Sequence, residues 1–91
     1  MAVLITDEMA WMTREVYDGM AAQLLGPLAE APGFLAHAAG PLDSGGWQVT
    51  ELWESQESHD AWFAANVAPN LPAGGTPPVT SVREIANLLV P

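Results

Sequence analysis

The run GGWQVTELWESQESHDAWF, residues 45–63, decides how this chain is read. Its first part, Trp47 to Glu54, has the length and the aromatic and β-branched content of a strand, and pleating places Trp47, Val49, Glu51 and Trp53 on one face. Ser55 follows with the character of a helix N-cap, and Glu57 sits in the first turn, where a carboxylate favours the helix dipole. Trp62, Phe63 and Val67 give that helix its apolar content before Pro69 ends it. Three of the four tryptophans thus crowd around a histidine and four carboxylates, the composition of a core, an active site, or both.

Upstream, FLAHAAG at 34–40 is also of strand length, and PLDSGG between the two runs carries the proline, aspartate and glycine that turns demand. The pair predicts an antiparallel hairpin. Val3, Leu4 and Ile5 suit an opening strand that stops at Asp7 and Glu8. Thr13 caps a first helix, with Glu15 in its first turn and Val16, Met20 and Leu24 recurring every four residues beside Tyr17, Ala21 and Leu28. Gly26 and Pro27 loosen its end and APG at 31–33 completes the break. PNLPAGGTPP, 69–78, reads as a loop, and Val79 to Val90 as the last strand, although its far half fits a helix equally well by periodicity.

The order β-α-β-β-α-β predicts one α+β domain over residues 1–91, a ferredoxin-like fold with a four-stranded antiparallel sheet and two helices on one face. Val3 and Ile5 oppose Ala2 and Leu4, and Ile85 and Leu89 oppose Val82, Leu88 and Val90, so both sheet faces read as apolar. Two helices cover only one. A second copy of the chain is the simplest cover for the other, which predicts a homodimer.

Eleven carboxylates face only Arg14 and Arg83, with no lysine and a formal charge of -9. Such a surface repels phosphate backbones and anionic lipid, so nucleic acid and membrane are set aside as partners. No lysine means no Schiff base, and no cysteine means no thiolate nucleophile or disulfide. No apolar run is long enough to span a bilayer, and MAVLITDEM lacks the positive region of a signal peptide, so a cytoplasmic location is expected. The 49% hydrophobic content argues for a packed fold despite the charge.

GFL at 33–35, a histidine in the second strand, GGW at 45–47 and LWES at 52–55 together make the chain resemble the antibiotic biosynthesis monooxygenase type of protein. That resemblance implies a dimeric α+β barrel, in which two sheets meet across a two-fold axis. It implies as well a monooxygenase-like enzyme, or a cyclase or isomerase, that acts on a small aromatic or polyketide-like molecule with no metal or flavin cofactor. Haem-degrading relatives carry an asparagine in the first strand and a histidine well inside the second helix. Here the first strand reads AVLITD and His59 lies near the helix start, so haem is not expected.

The residues themselves nominate His37 as the group able to move a proton, with Glu51 opposite it if the hairpin centres near Asp43. A carboxylate between two indoles must find His37, water, a partner subunit or an arginine, and Arg83 on the last strand is the candidate counter-charge. Tyr17, Trp47, Trp53, Trp62, Phe63 and Asn66 are candidates to line a pocket for a flat apolar ligand. Each has a plain alternative: an interface histidine, an edge ion pair, aromatic core. A metal site is not expected, because His59 and Asp60 are adjacent and should point apart on a helix. A non-catalytic binding or structural dimer is the competing class.

Overall fold

The computed structural model describes residues 1–72 and 75–91, which form strands β1 (Val3–Met9), β2 (Phe34–Pro41), β3 (Trp47–Trp53) and β4 (Val79–Glu84) and helices α1 (Arg14–Ala29) and α2 (Gln56–Trp62). The sheet is antiparallel throughout, in the order β2-β3-β1-β4, with both helices packed on one face. This is the ferredoxin-like α+β arrangement expected from the element order. Thr13 accepts from the Val16 amide and Ser55 from the Ser58 amide, so both predicted caps are in place. After α2 the chain widens into a π-helical turn, Phe63–Val67, and closes with a 3-10 turn, Ala68–Asn70.

Three elements differ from the sequence reading. β1 continues through Asp7 to Met9, because Val3, Ile5, Asp7 and Met9 share the buried face and the carboxylate there has a hydroxyl partner. α1 runs through Gly26 and Pro27 to Ala29, and the Pro27 and Leu28 carbonyls at its end accept from the Glu30 and Ala31 amides. β4 stops at Glu84 instead of reaching Val90, because Glu84 already pairs Val3 and only Ala2, which accepts from the Ile85 amide, extends the ladder. The predicted 69–78 loop includes Ala73 and Gly74, which lie outside the described residues.

Register follows from the hairpin. Its turn tightens on the Leu42 amide to the Gly46 carbonyl, 3.1 Å, and Gly46 has φ +89°. A Cβ there would stand 2.6 Å from the Met9 carbonyl, so glycine permits the close approach of β3 to β1. A bulge between Phe34 and Ala36 then sets Phe34 against Trp53 and His37 against Glu51.

The core has two parts on the helix-facing side. Val3, Ile5, Leu28 and Trp53 form one, with Phe34 edge-on to Trp53; Met9, Met12 and Trp47 form the other, with Val16, Tyr17 and Met20 against it. The far side of the sheet carries Leu4 and Leu52, the Thr6 and Thr50 hydroxyls 3.4 Å apart, and Ala36 and Ala38 of β2, with Glu8 and Arg83 towards its margins. It is therefore apolar only in part, and among the described residues nothing covers it. No helix is long and apolar enough to cross a membrane among those residues.

Candidate active site

α1, α2 and the π-helical turn leave a cleft over the sheet, walled by Tyr17, Met20, Leu24, Trp62, Phe63 and Val67, with Asp7, His37, Val49, Glu51 and His59 also on its lining. Free space between these side chains is about 640 Å³ with the open mouth included, and about 80 Å³ counted by where the centre of a water molecule fits. The smaller measure governs the closed part. It equals roughly five to eight water positions, so a fused-ring ligand would extend from it into the open mouth.

At the floor, His37 Nδ1 lies 2.6 Å from Glu51 Oε2. A carboxylate only accepts, so Nδ1 carries the proton and donates it; Nε2 of a neutral ring then accepts from the Tyr17 hydroxyl, also at 2.6 Å. The other carboxylate oxygen accepts from Trp53 Nε1 at 2.9 Å. Glu51 is thereby paired on both oxygens, which answers why a buried carboxylate is tolerated between two indoles. Burial first, then the nearby Glu51 and Asp18 charges, hold the Tyr17 phenol above its ordinary range. Trp47 stacks on Tyr17 with ring centres 5.3 Å apart, and Arg14 lies 5.4 Å above Trp47, so the phenol is held from behind.

A second polar group stands across the cleft. Asp7 is buried and accepts from the Thr80 hydroxyl. Burial pushes its carboxyl above the usual range, against the Thr80 bond and His59, and Glu51 adds to the push. His59 is buried against Trp53 and Phe63, and its Nδ1 lies 2.9 Å from Asp60 Oδ1, so neighbours expected to point apart instead meet when the exposed Asp60 side chain folds back.

Of the residues nominated from sequence, His37, Glu51, Tyr17, Trp62 and Phe63 come together at the cleft. Four do not. Arg83 pairs Leu4 while Glu51 pairs Ile5, so alternation puts the guanidinium on the opposite sheet face, and it is not the counter-charge. Trp53 is fully buried in the core and reaches the site only through its Nε1 bond to Glu51. Trp47 is a buried backing for Tyr17, not lining. Asn66 turns back to donate to the Trp62 carbonyl at 3.2 Å. Asp7 and His59 were missed, although both carried a signal: Asp7 alternates with Val3, Ile5 and Met9, and His59 precedes Phe63 by one helical turn.

No protein-family model and no curated protein matches the chain significantly. Solved structures do. SnoaB, a cofactor-independent oxygenase from Streptomyces nogalater, superposes with a TM-score of 0.67 at 14% identity over 97% of this chain and 95% of that one. The Mycobacterium tuberculosis haem degrader MhuD gives 0.64 at 19%, covering 99% and 100%. The ActVA-Orf6 monooxygenase of Streptomyces coelicolor, solved with Nanaomycin D, gives 0.57 at 18%, covering 99% and 90%. At these identities the likeness establishes the fold, and that fold is the one shared by the antibiotic biosynthesis monooxygenase-like structures.

Proposed function

We propose that the protein is a cofactor-independent enzyme of the monooxygenase kind, a homodimer acting on a small aromatic or polyketide-like molecule. The observation that carries this is the Tyr17–His37–Glu51 chain opening onto an apolar cleft. Its chemistry is that of a base. A substrate hydroxyl at Tyr17 gives its proton to the phenol oxygen as the phenol passes its own to His37 Nε2, while Glu51 holds the ring and offsets the imidazolium charge. A concerted relay never leaves tyrosinate free, in keeping with the raised Tyr17 phenol. The anion so formed is electron-rich enough to react with dioxygen directly: one oxygen atom enters the substrate, the other leaves as water, and the substrate supplies the electrons.

SnoaB, named a cofactor-independent oxygenase, supports the reaction type, and ActVA-Orf6 holding Nanaomycin D supports a small organic substrate. MhuD is a haem degrader on this fold, but the first strand here carries no asparagine and the histidine of the second helix, His59, lies near its start. A second reading, a non-catalytic binding dimer, draws on the small closed part of the cleft. Oxygen uptake with dithranol, a dihydroxyanthrone, separates the two: turnover by the wild type that His37→Ala abolishes supports the enzyme, and no turnover with tight binding supports the dimer alone. Sedimentation at micromolar concentration should give a dimer, since the uncovered sheet face and Leu88, Leu89 and Val90, 48%, 87% and 74% exposed, need a partner.

A further inference from the structure

Asp7 has no part in the relay just described, yet it lines the same cleft as Tyr17 and His37. It stands on β1, two strands from His37 on β2 and on the same sheet face, because Asp7 pairs Val49 while His37 pairs Glu51. Two strand spacings and an offset of two residues separate the two backbones by roughly 12 Å, and both side chains line the one cleft. Behind Asp7 lies a second cavity of about 260 Å³, walled by His59, Asp60, Phe63, Pro78 and Thr80. Asp7 thus forms part of the wall between a substrate cleft and a groove at the protein surface.

Resting on the reading of this cleft as an active site, we propose that Asp7 is its proton donor, and that the substrate is a flat hydroxy-ketone with its acidic hydroxyl at Tyr17 and its carbonyl at Asp7. The groups facing Asp7 fit that role. Thr80 on β4 donates to one carboxyl oxygen, leaving the other to carry a proton, and Glu51 on β3 and His59 and Asp60 on α2 are the charged or titratable groups around it. Burial raises the carboxyl as a protonated acid requires.

The step balances without an oxidant. The substrate O–H bond breaks at Tyr17 and its proton goes to His37. The electron pair moves through the conjugated ring to the carbonyl oxygen, and a new O–H bond forms there with the proton of Asp7. Asp7 is reloaded from the groove, His37 releases its proton to solvent when the product leaves, and the product of the transfer is the neutral tautomer; dioxygen reacts with the anion, before Asp7 gives up its proton.

The probe is a hydroxytetralone, two fused rings with the phenol conjugated to the ketone, beside the matching naphthol that lacks the ketone. Wild type should bind the ketone roughly tenfold more tightly than the naphthol and shift its absorption towards the ionised phenol. Asp7→Asn is isosteric and keeps an N–H donor, so it should retain that preference; Asp7→Val should lose it. Infrared difference spectra between wild type and Asp7→Asn should show a carboxyl still protonated at a pH where an ordinary aspartate is ionised. A carboxylate band instead, or equal affinity of wild type for both probes, overturns the proposal. If His37→Ala and Glu51→Gln leave the ionisation of bound probe unchanged, the reading of the cleft fails. If they abolish it while Asp7→Val binds and ionises the probe like wild type, the reading stands and the proposal alone falls.

Discussion

Glu51 and Asp7 are carboxylates on neighbouring strands and on the same buried face of one sheet, but they are held in opposite ways. Glu51 accepts from two N–H donors, His37 on one oxygen and Trp53 on the other. Asp7 has one hydroxyl, from Thr80, and its burial is the dominant influence on its proton. Burial with a single neutral donor favours the proton on Asp7, whereas both Glu51 oxygens are already taken by N–H donors. The difference assigns them different work, Glu51 as the fixed charge behind a base and Asp7 as an acid. It comes from which neighbouring strand supplies the partners: β2 and β3 themselves for Glu51, the edge strand β4 for Asp7.

The strongest way to break this contrast is to remove the charge of Glu51. Glu51→Gln keeps the shape and the Trp53 bond but no longer balances an imidazolium, so turnover should fall by about 100-fold or more. Glu51→Ala goes further and leaves two buried donors, His37 Nδ1 and Trp53 Nε1, without acceptors, which should cost about 1–3 kcal/mol by denaturant titration. A Glu51→Gln enzyme with undiminished turnover would mean the carboxylate only supports the fold. Tyr17→Phe is the next largest: the ring still stacks on Trp47, so stability should change by no more than about 1 kcal/mol, while the relay loses its first oxygen and turnover drops about tenfold or more. Equal losses in binding and turnover would show the hydroxyl to be a ligand contact instead.

The Glu51 side of this contrast was legible in the sequence, whereas on the Asp7 side only its place on the buried face of β1 was, and its partner was not. His37 and Glu51 emerge from a hairpin with turn residues at 41–46, where local chemistry fixes pairing. That Phe34 and His37, three residues apart, both face the helices depends on the bulge at Leu35, and no turn residue announces it. The Asp7–Thr80 contact joins residues far apart in the chain, through a strand order that the sequence implies only once the whole fold is accepted. The overcalled β4 and the misplaced Arg83 share that origin. The length and facing of an edge strand are set by the neighbour it pairs, here β1 beginning at Val3, and not by its own apolar pattern.

The smallest effect is also the one that isolates Asp7. Its folded carboxyl is raised above the ordinary carboxylate value, chiefly by burial. From pH about 4 up to that raised value, the folded chain keeps a proton the unfolded chain has released, so stability falls as pH rises across the window and is level above it. Asp7→Asn carries no such proton. The other carboxylates contribute nearly equally to both proteins and cancel in the difference. Melting temperatures measured from pH 4 to pH 8 should therefore show wild type losing a few degrees relative to Asp7→Asn as the pH rises. Thr80→Val removes the hydrogen bond that opposes the burial effect, so the loss should extend to higher pH in that background. Parallel curves for wild type and Asp7→Asn would mean Asp7 titrates as an ordinary surface carboxyl, and the contrast with Glu51 would disappear.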